Sequence, residues 1–305
     1  MAKKAGTIIF WGTPLFSVPS LKALLDAGLV RAVVTQPDKP QGRGHATILP
    51  SPVKEVALAS GLPVLQPERL DDALVAALRE HGPSPFLIVA YGKIIPRAVL
   101  DQSELPALNL HPSLLPDLRG PSPIQTALLR GYTQTGLSII QLDEEMDHGP
   151  IIAQKKMSIA PDDTYATLSE KLSFMAPQFL MKHVQRYLAG ESEMHAQDHT
   201  RATFSKMIKA SDGALDLSDN AEILLRKIKA LNPWPGTWIT VGGKRLKIIA
   251  ASASGGKPAK PYTKTPAGIL LRCGAGSLVV TRVQLEGKAP MSALAFLNGH
   301  AALLE

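Results

Sequence analysis

The stretch TIIFWGTPLFSVPSLKALLDAGLVRAVVT, residues 7–35, decides the fold, because it reads as strand, helix, strand. Thr7–Trp11 is a short apolar run rich in β-branched and aromatic residues, which suits a buried strand. Pro19–Ala27 places Leu21, Leu24 and Leu25 at helical spacing, and Gly28 stops the pattern. Val30–Thr35 is again a β-branched run. Working outward, further strands are expected at Pro63–Leu65, Phe86–Tyr91, Ala107–Leu110, Leu137–Leu142 and Ile152–Ile159. Between them, Ser51-Pro52 opens a helix with a cap residue and Pro at its first position, and Asp72–Glu80 and Ile124–Leu129 continue the alternation. A helix from about Tyr165 to Leu188 closes the series. Strands alternating with helices imply parallel strands joined by right-handed crossovers, so a doubly wound, Rossmann-like α/β domain is expected over residues 1–189. In such sheets ligands sit beyond the carboxyl ends of the strands, so the loops that follow the strands carry the functional interest.

The chain then changes character. Gly190–Thr203 is polar, without a sustained apolar period, and a linker is expected over residues 190–209. Ala221–Ala230 is one amphipathic helix, stopped by Asn232-Pro233-Trp234-Pro235-Gly236. Trp238–Val241 and Arg245–Ala251 flank Gly242-Gly243 as a hairpin, and Gly268–Arg272 and Ser277–Gln284 flank Gly274-Ala275-Gly276 as another. Short strands with glycine turns and no crossover helices predict a small C-terminal β-barrel, OB-like, over residues 210–305, with Ser252–Pro266 as a loop.

Composition narrows the class. In 305 residues the hydrophobic fraction is 45% and the charged fraction 19%, ordinary for a globular protein. No apolar run reaches the roughly 18 residues a membrane helix needs. The single cysteine, Cys273, has no partner for an internal disulfide, and no Cys/His cluster points to a metal, so the cytoplasm is the expected compartment. Charge divides unevenly. Residues 1–205 hold 19 Lys+Arg against 20 Asp+Glu, a net of −1, whereas residues 206–305 hold 14 against 6, a net of +8. A neutral front and a basic back suit one part that does chemistry and another that meets a polyanion.

The first loop, Trp11-Gly12-Thr13-Pro14, lacks the glycine spacing of a dinucleotide site, and Pro14 removes a backbone donor that a pyrophosphate would use. The densest polar cluster follows the strand at Ala107–Leu110. Asn109 and His111 alternate to the same side and together offer an amide N–H and an imidazole to one oxygen, which makes an oxyanion site. Asp147, in Asp143-Glu144-Glu145-Met146-Asp147-His148-Gly149-Pro150, is expected on the same rim, where a carboxylate holds an imidazole charged and oriented. Taken alone, Asn109 and His111 would read as turn residues and the acidic run as a solvated loop; their combination favours a catalytic set. His148 reads as a bystander.

Asn109-Leu110-His111-Pro112-Ser113-Leu114-Leu115-Pro116, with Gly120 and Pro123 after it, resembles the signature of enzymes that use 10-formyltetrahydrofolate. Gly136 and the Asp143…Asp147-His148-Gly149 stretch are similar to that group's second motif. Within the group, Gln36-Pro37-Asp38-Lys39-Pro40 with Gly42-Arg43-Gly44, Pro123-Ile124-Gln125 and Asn232-Pro233-Trp234-Pro235 resemble the methionyl-tRNA formyltransferase family. The resemblance implies formyl transfer from 10-formyltetrahydrofolate to the α-amino group of initiator methionyl-tRNA, with catalytic Asn109, His111 and Asp147 and no metal. It implies a folate pocket lined by Ser113, Leu114, Leu115, Pro116 and by Tyr91, Ile94 and Ile95, with Asp143 facing the pterin. It implies tRNA contacts at Arg43 and Lys39, at Lys206 and Lys209, and at Lys244, Arg245 and Lys247 of the barrel. The same chemistry on another amine, a nucleotide amino-sugar or glycinamide ribonucleotide, is the alternative; a nucleic-acid-binding module on an inactive scaffold is the more distant one.

Overall fold

A computed structural model describes residues 7–41, 47–256 and 258–304. The chain divides into two compact units. The first comprises the chain through Pro121 with Gln134–Ser158 and Ser169–Ser205; the second comprises Ser122–Thr133, Ile159–Leu168 and the chain from Lys206 onward.

The first unit is built on β1 (Ile8–Gly12), α1 (Val18–Asp26), β2 (Val30–Val34), a hairpin of β3 (Lys39–Gln41) and β4 (Thr47–Leu49), α2 (Pro52–Ala59), β5 (Val64–Leu65), α3 (Asp72–Glu80), β6 (Phe86–Val89), α4 (Arg97–Leu100) and β7 (Leu108–His111). Helix α2 starts as its sequence dictates: Ser51 accepts from the Lys54 N–H and Pro52 takes the first helical position. The main sheet has the order β5-β2-β1-β6-β7-β8-β9, where β8 is Gln134–Gln141 and β9 is Ile151–Ser158. Pairings from β5 through β7 are parallel, and Ile9, Trp11, Ala32, Val34, Phe86 and Ile88 turn into one core with α3. The doubly wound, mostly parallel sheet expected from the sequence is present.

Two strands depart from that expectation. β7–β8 and β8–β9 pair antiparallel, with His111 opposite Ser138 and Leu108 opposite Gln141. The cause is α5 (Pro123–Arg130), which the sequence pattern presents as one more crossover helix. Its apolar residues Ile124, Ala127 and Leu128 are buried, but α5 groups with the second unit and packs on α7 (Ala221–Leu231). With no crossover to carry the chain back, β8 begins beside the end of β7 and runs the other way. α6 (Tyr165–Leu188) follows β9 as expected.

Residues 190–209, expected as a linker, fall on both sides of the division, with the chain through Ser205 in the first unit. His195 exchanges two backbone hydrogen bonds with Ile151, and Thr203 and Ser205 pair with the 116–119 backbone. Polar contacts, with no apolar period, hold this segment.

In the second unit, β10 (Thr237–Val241), β11 (Lys244–Ser254), β12 (Tyr262–Thr265), β13 (Gly268–Arg272), β14 (Ser277–Leu285) and β15 (Met291–Ser292) form an antiparallel sheet, and α8 (Ala293–His300) follows. The strands turn Ile239, Leu246, Ile248, Ile269, Leu271, Val280 and Val283 into one core shared with α7 and α8. Irregular pairing at Ile248–Ala251 bends β11 against β14, as a curved wall requires. The expected loop Ser252–Pro266 is a correction: β11 runs on to Ser254, and Tyr262–Thr265 is the edge strand β12. With none of its four residues fully buried, β12 has no hydrophobic alternation to reveal it.

Candidate active site

β7 is four residues long, and alternation puts the side chains of Asn109 and His111 on one face of the sheet. Beyond His111 the backbone of residues 113–115 is pinned from the next two strands. Ser138 Oγ on β8 donates to the Ser113 carbonyl (2.7 Å) and accepts from the Leu115 N–H (3.1 Å), while Gln154 on β9 donates to the Leu115 carbonyl (2.8 Å). Gly136 lets this loop lie down: a Cβ there would collide with the Lys155 carbonyl and approach Leu114 Cδ2 to 2.6 Å.

The chain then returns to His111. The Leu118 carbonyl lies 2.9 Å from His111 Nε2, and since a carbonyl only accepts, Nε2 carries the hydrogen. The other ring nitrogen, Nδ1, faces Asp147 Oδ1 at 3.4 Å. Asn109 Nδ2 donates to the same carboxylate oxygen at 3.2 Å, and the Gly120 N–H donates to Oδ2 at 2.8 Å. His111 is 4% and Asp147 9% exposed, so these bonds hold a carboxylate largely withdrawn from water. An amide, an imidazole and a carboxylate therefore meet.

They do not meet as expected. Because β8 is antiparallel, residue 142 leaves the sheet beside the start of β7, where Leu142 N–H donates to the Ala107 carbonyl. The 143–150 loop reaches Asn109 and His111 by folding back over the face of β7, and Asp147 adopts a left-handed backbone, φ 52°, in that reversal.

The other expected residues are placed as follows. Ser113 and Leu115 are buried, and Leu114 and Pro116 are half-buried along the pinned loop. The side chains of Tyr91 and Ile95 point into the core of the sheet, with Tyr91 edge-on to Trp11, so that only their backbone is available to a ligand; Ile94 is exposed. Burial pushes the Tyr91 phenol up to about 12. Asp143 is engaged by His148, whose Nδ1 lies 2.7 Å from Oδ2, and the His148 ring stacks on His199 at 4.0 Å. Lys39 is exposed with its ammonium on Gln36 Oε1 (2.7 Å). Arg43 lies outside the described residues. Two clefts elsewhere on the first unit, of about 410 Å³ beside Gln66–Arg69 and about 170 Å³ beside His183 and His195, contain none of these groups.

Residues 7–184 match the family model described as formyl transferase, and residues 207–301 match formyl transferase, C-terminal domain. The chain belongs to the formyl transferase family. A methionyl-tRNA formyltransferase of Myxococcus xanthus is 44% identical over 296 residues, covering 96% of this chain and 95% of that one. One from Symbiobacterium thermophilum is 42% identical over 300 residues, covering 96% and 92%. Among solved structures, the sugar 3N-formyl transferase WlaRD, in the presence of dTDP and 5-N-formyl-THF, superposes with a TM-score of 0.69 at 17% identity, covering 94% of this chain and 100% of that one. The N-formyltransferase of Helicobacter canadensis, in complex with folinic acid and dTDP-3-aminofucose, gives 0.69 at 16%, covering 90% and 98%. The family uses formyltetrahydrofolate as co-substrate.

In the second unit, the β10–β11 register sets Trp238 opposite Lys247 and Thr240 opposite Arg245, so these four share the outer face while Leu246 and Ile248 face the core. The Arg245 guanidinium lies 4.3 Å over the Trp238 ring. Lys244, Arg245 and Lys247 are exposed, as are Lys206 and Lys209. Among the described residues no helix is long and apolar enough to cross a membrane, and no group of three His, Cys, Asp or Glu could hold a metal.

Several residues of the site escape sequence reasoning: Ser138, Gln154, Arg119 and Gln197. The first two sit on strands whose pattern marks the strand but singles out no polar side chain on it. Gln197 donates to the backbone of the Asp147 loop from a segment without hydrophobic period, so no local pattern marks it.

Proposed function

We propose that the chain transfers the formyl group of 10-formyltetrahydrofolate to the α-amino group of methionine on initiator methionyl-tRNA. The observation that carries the chemistry is the convergence of Asn109 Nδ2 and His111 Nδ1 on one oxygen of Asp147. The amine attacks the formyl carbon as free base; an α-amino group titrates near ~7.7–8.0, so roughly a tenth is already neutral at pH 7. As the new C–N bond forms, charge builds on the formyl oxygen. Asn109 Nδ2 is a donor to that oxygen. His111 is a second donor, through Nδ1, because Nε2 is committed to the Leu118 carbonyl. With Nε2–H fixed, Nδ1 carries a hydrogen only in the imidazolium, for which Asp147 is the counter-ion. Asp147 also accepts the proton that the attacking nitrogen sheds. When the bond to N10 breaks, N10 takes up a proton and the carbonyl is restored on the product amide. Apo hydrogen bonds in such sites are often long and tighten around the substrate, which suits the 3.2 and 3.4 Å separations here.

The pinned backbone from Ser113 to Pro116 and the Tyr91–Ile95 edge are assigned to the folate, and Asp143 to the pterin side. The acceptor assignment rests on the relatives' names at 42–44% identity over nearly the whole chain, and on the basic outer face of the second unit. Lys206, Lys209, Lys244, Arg245 and Lys247 are assigned to tRNA phosphates, with Arg43 and Lys39 toward the acceptor end. The cytoplasm is the compartment assigned to the chain, on its single cysteine. The test offers formylfolate with charged initiator tRNA, glycinamide ribonucleotide or a nucleotide amino-sugar, and follows which amine becomes formylated. Preference for either small acceptor overturns the tRNA assignment.

A further inference from the structure

Asp147 has a left-handed backbone, a strained conformation that an L-residue keeps only where its surroundings hold it there. One side chain holds it here. Gln197 Nε2 donates to the Asp147 carbonyl at 2.9 Å and to the Gly149 carbonyl at 2.7 Å, bridging the two ends of the reversal. The orientation of that amide is settled by its neighbour. Arg119 directs Nε (3.2 Å) and Nη2 (2.8 Å) at Gln197 Oε1, and a guanidinium has only donors, so the oxygen faces the arginine and both amide hydrogens face the loop. Arg119 is 4% exposed, and Nη2 also reaches His199 Nδ1 at 2.8 Å. The His199 ring lies flat on His148, between Asp147 and Gly149 in the chain, at 4.0 Å and 5°.

Arg119 also stands between the two backbone groups that touch the reacting side chains. Its preceding residue supplies the carbonyl on His111, and its following residue supplies the N–H on Asp147. The 203–205 segment fixes this tripeptide, through Leu118 N–H to Thr203 Oγ1 (2.9 Å) and reciprocal backbone bonds between Arg119 and residues 203 and 205. From one anchor the imidazole and carboxylate are held in front, and the carboxylate's own backbone is held from behind.

We propose that Gln197, oriented by the buried guanidinium of Arg119, is a positioning residue for formyl transfer that aims the Asp147 carboxylate at Asn109 and His111. This rests on the reading of Asp147 as a reacting group. It acts without touching substrate, so its loss lowers turnover and leaves substrate affinity in place.

The test is a double-mutant cycle on the full chain, with kcat and KM for formylfolate and tRNA measured alongside thermal melting. Gln197→Glu keeps an oxygen for Arg119 but offers none of the donors to the two carbonyls; Gln197→Met removes the donors without adding charge. A misplacement of about 1 Å at a reacting group costs on the order of 10²-fold. Each variant is therefore expected to lose about 30- to 100-fold in kcat, with KM values within about threefold of the parent. In an Asp147→Ala background the same changes should cost no more than about twofold, because the group they aim is gone. Equal losses in both backgrounds overturn the proposal, as does turnover within about threefold of the parent in a variant that melts normally. If neither variant folds, Gln197 serves the whole unit rather than Asp147, and the proposal is again overturned. Near-normal turnover of Asp147→Ala alone is a distinct failure, since it removes Asp147 from the reaction and the proposal with it.

Discussion

Gly120→Ala is the substitution in which a single methyl group reports on the whole site. Gly120 has φ +107°, a backbone conformation open to glycine, and a Cβ there would lie 2.7 Å from the Ser205 carbonyl oxygen and 3.0 Å from Ser205 Oγ. The carbonyl is backbone, and Ser205 is tied to the Arg119 carbonyl by both its N–H and its Oγ, so it has little freedom to retreat. The backbone strain alone is worth about 1–3 kcal/mol. The 118–120 backbone is then driven away from Ser205, and with it the Gly120 N–H that reaches Asp147 Oδ2 at 2.8 Å; a hydrogen bond to a charged acceptor is worth about 1.5–3 kcal/mol. The combined loss, about 2.5–6 kcal/mol, is a large share of the 5–15 kcal/mol that stabilises a typical domain. At about 2–4 °C per kcal/mol for a unit of this size, melting should fall by roughly 5–24 °C. Turnover should fall by about 10²-fold or more even below the melting transition, because Asp147 loses a partner and its aim. The assays are calorimetric melting and initial-rate formylation well below the transition. A variant that melts within 2 °C of the parent, or turns over within about threefold, refutes the argued geometry at residues 118–120.

Asn109→Ala should lower turnover by about 10²–10³-fold with little change in melting, and His111→Ala and Asp147→Ala should each cost at least as much; near-normal rates in steady-state formylation would remove that residue from the site. Burial pushes the Tyr91 and Tyr187 phenols up to about 12. Both are neutral in either state below pH 10; between pH 10 and 12 only the unfolded chain ionises them, so stability declines over that window by about 2–3 kcal/mol per residue. Ultraviolet titration should show two of the five tyrosines ionising late, and five equivalent phenols near pH 10 in the folded chain would contradict their burial. The logarithm of tRNA affinity should fall linearly with the logarithm of salt concentration, and replacing Lys244 and Lys247 together by Ala should flatten that slope by roughly 1–2; an unchanged slope in filter binding would take the β10–β11 face out of the interface.

What was legible in the sequence divides along a physical line. Thr7–Trp11, Val30–Thr35 and Phe86–Tyr91 announce themselves because a parallel strand is buried on both faces and writes that burial as a run of apolar residues. Asn109 and His111 are legible as a pair because the two-residue period of a strand puts them on one face whatever surrounds it. The direction of β8 is not legible. The apolar stripe of α5 states that the helix buries Ile124, Ala127 and Leu128, but it does not state against what, and the partner, α7, lies some ninety residues on in the chain. Residues 190–205 hid for the complementary reason: they are held by Gln197, Thr203 and backbone pairing, and hydrogen bonds leave no hydrophobic period.

That difference bears on how the site is made. Had β8 run parallel to β7, the loop after it would start at the same rim as His111, and a carboxylate there could swing freely on a loop tip. Running antiparallel, β8 delivers the 143–150 loop at the opposite end of a four-residue strand, and the chain must double back over the sheet to bring Asp147 to Asn109 and His111. Such a reversal has a left-handed residue at its turn and two buried backbone carbonyls that look to a partner outside the loop, at Asp147 and Gly149. Both features demand outside support, and the polar 197–205 segment and the 118–120 backbone supply it. The antiparallel edge of the sheet thus explains why so many unremarkable polar residues surround three reacting ones.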